Sequence, residues 1–151
     1  MTTTTLVPRM CDLRLRSIAA VAPDTTLRRA AQVMRGQDIA SLVVAQPGER
    51  IAIVTERDLT AAVAAGHDLD TPVADVASRD PLTTAHDATV MNAAITMLGE
   101  GVRHLVVTRG SRAIGVASIR DVLAALIQTV TPETVFLMVH QAALGSGASA
   151  R

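Results

Sequence analysis

The sequence predicts an α/β fold of the mixed α+β kind, built from two similar units related by a pseudo-twofold axis. Three observations support this prediction: the chain repeats itself, each copy alternates helix and strand patterns, and the composition can fill a core. The 151 residues are 49% hydrophobic and 19% charged, with a formal net charge of +0. That composition excludes a disordered chain, and the length allows one domain or two small ones.

The repeat decides the architecture. The segment Asp12–Val63 aligns without a gap with Asp75–Leu126, an offset of 63 residues, and the register pairs charged with charged and apolar with apolar residues. A unit of about 55 residues buries little surface alone. We therefore expect the two copies to pack as a pseudo-twofold pair that shares one core.

Each copy is expected to run strand–helix–strand–strand–helix. The first helix has apolar residues at 27, 30, 31 and 34, repeated at 90, 93, 94 and 97, the spacing of an amphipathic helix. Its expected N-cap lies among Asp24, Thr25 and Thr26 or at Asp87 or Thr89, and Gly36 and Gly99 are the expected stop signals. Two short strands follow, Leu42–Ala45 with Ile51–Val54 and Leu105–Thr108 with Ala113–Ala117, before a second helix that starts at Thr55 or Ser118.

The predicted boundaries are a flexible N-terminus (1–9), a first repeat (10–66), a linker (67–72), a second repeat (73–130), a C-terminal helix (131–145) and a flexible tail (146–151). Thr131-Pro132-Glu133 has the pattern of a helix start, and the stretch from Val135 to Leu144 is apolar nearly all round. Such a helix has to be buried, either against its own chain or in a homodimer contact. Both possibilities stay open.

The start of the second helix carries the same motif in both copies, Thr55-Glu56-Arg57-Asp58 and Ser118-Ile119-Arg120-Asp121. A hydroxyl at the N-cap with an acid three residues later has the pattern of a capping box, which needs no ligand. The same groups also suit a nucleotide. The Asp carboxylate can accept hydrogen bonds from a ribose diol, and a phosphate beyond it could be held by Arg57, Arg103 or Arg120.

Taken together, these segments resemble a tandem pair of CBS domains, the regulatory modules named after cystathionine beta-synthase. The resemblance covers about residues 10–127. The length of the chain is similar to that of the short stand-alone bacterial members of the family, some of which are linked to stress responses. The residues that carry it are Ala22–Leu27, Ala30-Ala31, Leu42–Val44, Ile53–Leu59, Asp87–Val90, Arg103–Val107 and Gly115–Asp121.

The resemblance implies two clefts between the repeats that hold an adenosine-containing ligand: AMP, ADP, ATP or S-adenosylmethionine. It implies that Thr55, Asp58, Ser118 and Asp121 hold ribose and phosphate. Apolar, backbone-lined positions near the strands would hold adenine, by position Ile18, Ala20, Ala40, Leu42, Leu82, Thr83, Arg103 and Leu105. Because Gly115 fits the family's glycine where the first copy has Ala52, the second copy is the favoured site. His104, beside Arg103, either lines the cleft or is a half-buried histidine at a strand edge.

The expected function is a ligand sensor without catalysis, needing no cofactor. The alternative is a ligand-free dimerisation or scaffold module that uses the C-terminal helix. Expected partners are the nucleotide, a second copy in a homodimer and an unidentified protein. A single Phe and scattered Arg argue against nucleic acid, and no apolar run is long enough for a membrane span. The four His lack metal-ligand spacing, no nucleophile is paired with a base, and the lone Cys11 fits the cytoplasm.

Overall fold

The computed structural model describes residues 7–15, 17–45 and 51–129, and those residues form seven strands and four α-helices. In chain order these elements are β1 (Ala20–Val21), α1 (Leu27–Gln37), β2 (Ser41–Val44), β3 (Ala52–Thr55), α2 (Glu56–Ala64), β4 (Ser78–Arg79), β5 (Thr83–Ala85), α3 (Val90–Gly99), β6 (His104–Arg109), β7 (Arg112–Ser118) and α4 (Ile119–Thr129). The predicted mixed fold is confirmed. Residues 46–50 between the first pair of predicted strands, the predicted C-terminal helix (131–145), the predicted flexible tail (146–151) and residues 1–6 of the predicted flexible N-terminus lie outside the described residues.

The strands form two sheets: the first joins β1, β2 and β3 of the first repeat with β4 from the start of the second repeat, and the second contains β5, β6 and β7. In the first, β1 is parallel to β2, and β2, β3 and β4 pair antiparallel in that order. In the second, β5 is parallel to β6 and β6 is antiparallel to β7. The offset of 63 residues therefore relates β1, β2 and β3 to β5, β6 and β7 in the structure, as it relates the two copies in the sequence.

The first helix of each repeat starts at a threonine. The Thr26 hydroxyl accepts from the Arg29 N–H at 3.2 Å, and the Thr89 hydroxyl accepts from the Asn92 N–H at 3.1 Å. The expected stop at Gly36 is wrong, because α1 runs one residue further and ends against Asp38, which has a φ of 52°. Asp is one of the few residues that visits this left-handed conformation at modest cost, so the helix does not need a glycine there.

Two hydrophobic cores form, and this corrects the expectation of one shared core. The first contains Leu27, Ala30, Met34, Leu42, Val44, Val54, Ala62 and Val73. The second contains Met10, Val90, Ala93, Ala94, Met97, Leu105, Val107, Ala117 and Val122. The physical reason is strand alternation: Leu42 and Leu105 point toward the helices of their own repeat, whereas Val43 and Val106 point to the other face. Val43 and Val106 are also buried, on the face of each sheet opposite to its own core.

The start of each repeat packs into the other repeat. Met10, the first residue of the first repeat, lies fully buried in the second core, and its pseudo-equivalent Val73, the first residue of the second repeat, lies fully buried in the first core. The backbone shows the same exchange, since Val90 N–H donates to Pro8 C=O at 2.8 Å and Leu27 N–H donates to Thr71 C=O at 2.9 Å. Each core is thus completed by a residue from the other repeat.

The outer helix faces of the two repeats differ in polarity. On α3 and α4 the exposed side chains include Met91, Ile95, Leu98, Leu123 and Ile127, and Leu98 is 77% exposed. The pseudo-equivalent positions on α1 and α2 are Arg28, Gln32, Arg35, Thr60 and Ala64. We call the first set the apolar outer face.

Candidate functional site

A cavity of about 1410 Å³ is lined by residues of both repeats. It contains the start of α2 and the start of α4, so the two copies of the motif open into one space. Sites for one small ligand commonly measure about 300–1000 Å³. This cavity has room for more than one such ligand.

At the first motif, one carboxylate oxygen makes both hydrogen bonds of the cap. Asp58 Oδ2 accepts from the Thr55 backbone N–H at 2.7 Å and from the Thr55 hydroxyl at 2.7 Å. In return, the Thr55 hydroxyl oxygen lies 3.4 Å from the Asp58 backbone nitrogen, which donates to it. This closes the capping box expected from the sequence.

The second motif repeats this geometry. Asp121 Oδ2 accepts from the Ser118 backbone N–H at 2.8 Å and from the Ser118 hydroxyl at 2.6 Å, and the Asp121 N–H donates to that hydroxyl at 3.3 Å. Both aspartates are half-buried and line the cavity. In the part of the chain that the structure describes, Oδ1 of each carboxylate has no hydrogen-bond partner. Capping therefore uses one oxygen of each aspartate and leaves the other without a partner among the described residues.

The backbone around the two motifs is equivalent. Glu56 N–H donates to Ala40 C=O at 3.0 Å, and Ile119 N–H donates to Arg103 C=O at 2.9 Å. Ser41 pairs with Thr55 across β2–β3 as His104 pairs with Ser118 across β6–β7. We define the first half-site as Ala40, Ser41, Thr55, Glu56, Arg57 and Asp58, and the second half-site as Arg103, His104, Ser118, Ile119, Arg120 and Asp121.

His104 of the second half-site lines the cavity and is influenced by charges of both repeats. Burial lowers the pKa of His104 below its ordinary value of 6.5, and the Arg103 charge acts in the same direction. The carboxylates of Asp121, Glu56 and Asp58 oppose this shift. Acidic groups of both repeats therefore act on one imidazole.

The arginines of the cavity have different surroundings. Arg57 reaches from the first repeat to the second, where its Nη1 donates to Gly101 C=O at 3.2 Å. Arg103 and Arg120 are exposed side chains on the cavity wall, and neither has a hydrogen-bond partner among residues 7–15, 17–45 and 51–129. These two guanidinium groups are available to an anion.

Most of the residues proposed from the sequence line this cavity. They are Ala40, Thr55, Arg57, Asp58, Leu82, Arg103, His104, Ser118, Arg120 and Asp121. Their role in binding remains a prediction.

Six other proposed residues do not line the cavity: Ile18, Ala20, Leu42, Thr83, Leu105 and Gly115. Leu42 and Leu105 are core residues, at 1% and 0% exposed. The correction is a shift of one position, because successive strand residues face opposite sides. Ala19, Ser41, His104 and Val116 face the cavity beside the positions that were proposed.

Sequence reasoning missed an apolar wall in each half of the cavity. Ala19, Ile39 and Ile53 form it in the first repeat, and their pseudo-equivalents Leu82, Val102 and Val116 form it in the second. Of these six, only Leu82 was proposed. Strand alternation was the signal that could have found Ile53 and Val116, since it places them opposite the core-facing residues next to them.

No helix within the described residues combines the length and the apolar character needed to cross a bilayer. Within those same residues, no cluster of three or more His, Cys, Asp and Glu side chains is arranged to hold a metal ion.

Comparison with known proteins assigns the family. A family model for the CBS domain matches residues 11–65 and 73–128. An uncharacterized 17.7 kDa protein from the bps2 3' region of Acidianus ambivalens is 31% identical over 128 residues, which cover 83% of this chain and 77% of that protein.

Solved structures agree with this assignment. A CBS domain protein from Pyrobaculum aerophilum, complexed with AMP, is 30% identical with a TM-score of 0.72 and covers 80% of this chain and 97% of its own. A CBS-domain containing protein from Agrobacterium tumefaciens is 27% identical with a TM-score of 0.75, over 83% of this chain and 98% of its own. With two matched domains, a duplicated fold and a duplicated motif, the chain belongs to the CBS-domain family as a tandem pair.

Proposed function

We propose that this protein is a regulatory sensor that binds an adenosine-containing ligand in the cavity between its repeats and does not catalyse a reaction. The candidate ligands are AMP, ADP, ATP and S-adenosylmethionine, with no cofactor required. The observation that carries the proposal is the pair of capping carboxylates whose Oδ1 atoms are both left for a ligand in one cavity. A cytoplasmic location and an unidentified protein that responds to the ligand belong to the same proposal.

The cavity offers a distinct contact to each part of such a ligand. The free oxygens of Asp58 and Asp121 can accept from ribose hydroxyls. The apolar walls at Ile39 and Val102 can take the flat base, and the exposed guanidinium groups can take phosphate. The AMP complex of the Pyrobaculum aerophilum protein supports this choice of ligand class.

Binding would act by favouring one arrangement of the two repeats. A ligand held by groups of both repeats shifts their equilibrium by no more than its difference in affinity for the two arrangements. A partner protein that contacts both repeats could read that shift.

The test is isothermal titration calorimetry with AMP, ADP, ATP and S-adenosylmethionine. Wild type should bind at least one of them, and Asp121→Ala should weaken that binding by about tenfold or more, because a charged hydrogen-bond acceptor is lost. The matched control is Thr89→Ala, which removes a helix cap of the same repeat away from the cavity. Both variants should lose about 0.5–2 kcal/mol of stability, but only Asp121→Ala should lose affinity. Equal affinities in all three proteins, or no heat from wild type, would refute the proposal.

We also propose that the protein forms a homodimer through the apolar outer face. The sequence-based alternative, a ligand-free dimerisation or scaffold module, used the C-terminal helix, which lies outside the described residues; the apolar outer face supports dimerisation through α3 and α4. Its exposed residues carry no charge, so it needs no complementary partner and can pair with its own copy about a twofold axis. The polar counterpart on α1 and α2 makes this a property of the second repeat alone.

A further inference from the structure

The two half-sites share a backbone but differ in charge. At the position that follows each α1-type helix and precedes the strand, the first half-site has Ala40 and the second has Arg103. The next residues are Ser41 and His104, and the first residue of the helix is Glu56 in one and Ile119 in the other. All six residues line the cavity, so a ligand meets these differences directly.

The differences act in one direction. On the side of the first motif there are two carboxylates, Glu56 and Asp58, and two guanidinium groups, that of Arg35 on α1 and that of Arg57, which already donates to Gly101 C=O. Around the second motif there is one carboxylate, Asp121, with two guanidinium groups that have no hydrogen-bond partner among the described residues. Asp38 and Asp80 also line the cavity, and each already interacts with another residue.

Arg103 contributes most directly to this difference in charge, because the equivalent residue of the first half-site is the uncharged Ala40. Its carbonyl accepts from the Ile119 N–H at 2.9 Å, which fixes its backbone beside the first turn of α4. Its exposed side chain can therefore move toward a phosphate chain that extends from a ribose on Asp121, while the equivalent Ala40 offers no contact. An arginine fork binds phosphate oxygens in pairs, so each additional phosphate adds contacts as well as charge.

We propose that the second half-site selects nucleoside di- and triphosphates over the monophosphate through Arg103 and Arg120, and that the first half-site does not discriminate between them. This inference rests on the proposed function, since it assumes that a nucleotide occupies the cavity. It adds the ligand class that each half prefers and names Arg103 as the residue that sets the preference.

The experiment compares the affinities of AMP, ADP and ATP for the full chain by calorimetry in buffer that contains EDTA. Wild type should bind ATP more tightly than AMP. Arg103→Ala, which installs the residue of the first half-site, should weaken ATP binding about tenfold, the value of one charge-assisted hydrogen bond, and change AMP binding by about twofold or less. Arg103→Lys should keep part of the preference. Ala40→Arg, the reciprocal change, should raise the affinity of the first half-site for ATP.

The outcomes separate the two proposals. If Arg103→Ala weakens AMP and ATP by the same factor, or neither, the phosphate selection is overturned while the proposed function stands. If wild type binds AMP as tightly as ATP, the selection is overturned as well. If wild type binds none of the three nucleotides or S-adenosylmethionine, both proposals fail. Thermal unfolding of each variant without ligand confirms folding, which an exposed arginine should not affect.

Discussion

One oxygen of each motif aspartate holds the helix start, and the other points to a use beyond the helix. Oδ2 of Asp58 accepts hydrogen bonds from the hydroxyl and the backbone N–H of Thr55, and Oδ2 of Asp121 accepts the same two from Ser118. A residue whose only role is capping does not need to line a cavity, and Thr26 and Thr89, which cap α1 and α3, do not line this one. The motif caps instead open into the same cavity, so stability and binding can select for the same side chain.

His104, the strand residue beside the second motif, leads to a predicted effect of pH on the stability of the protein. Because burial lowers the pKa of His104 in the folded protein, the unfolded chain takes up a proton more readily as the pH falls below about 6.5. Protonation then favours unfolding, so the contribution of His104 to stability is present above its unfolded pKa and is lost as the pH falls toward its folded pKa.

We therefore expect His104→Asn to lose less stability than wild type between about pH 7.5 and 5.5. The measurement is the midpoint of thermal unfolding, without nucleotide, at several pH values in that range. His67→Asn, at an exposed position before β4, is the control and should follow the wild-type curve. Parallel curves for wild type and His104→Asn would contradict the assignment.

At the scale of elements, each core depends on a short turn from outside its own repeat. Met10 belongs to a 3-10 turn, Met10–Asp12, and Val73 belongs to its equivalent, Val73–Asp75. Both side chains are fully buried. The packing of the second repeat therefore includes residues near the N-terminus.

Met10→Ala should cost about 2–5 kcal/mol of unfolding free energy, the usual range for truncation of a buried methionine. Urea denaturation followed by circular dichroism measures this loss. The neighbouring Cys11→Ala is the control, because Cys11 is exposed and such changes usually stay within about 0.5 kcal/mol. If the two substitutions had the same small effect, the exchanged packing of Met10 would be contradicted.

Elements are also where the sequence predicts most and where its limits show. Periodicity predicts α1 from residues 27, 30, 31 and 34, and the repeat predicts α3 at the same offset. Periodicity does not say which face of a short buried strand meets the cavity, because Leu42, Val43 and Val44 are all apolar and all buried. That is why several of the proposed adenine positions, such as Leu42 and Leu105, lie one residue away from a residue that lines the cavity. The exchange of Met10 and Val73 depends on contacts between distant parts of the chain, which no local pattern records.

At the scale of the whole molecule, duplication has left the two repeats alike inside and different outside. The cores and caps keep their register, whereas the half-sites and the outer helix faces have diverged. The apolar outer face includes Ile95 and Leu98, at 61% and 77% exposed, while the first repeat has Gln32 and Arg35 there. The molecule therefore has one side suited to self-association.

Ile95→Glu should convert the dimer to a monomer in sedimentation velocity, because it places a charge at the centre of an apolar contact. Gln32→Glu introduces the same side chain at the equivalent position of α1 and should leave the dimer intact. Removal of the residues after Val130 tests whether the predicted C-terminal helix makes the dimer contact instead. A truncated chain that still dimerises assigns the contact to α3 and α4. A monomeric wild type, or a dimer that survives Ile95→Glu, would refute the homodimer proposal.

The crossed packing of Met10 and Val73 also gives the linker a thermodynamic role. Two separate half-length chains would complete neither interior until they met in solution, so their folding would depend on dilution. A short covalent connection replaces that encounter with an effective concentration on the order of millimolar. Fusion of the halves would thus make the integrity of the cavity between them independent of how much protein the cell produces.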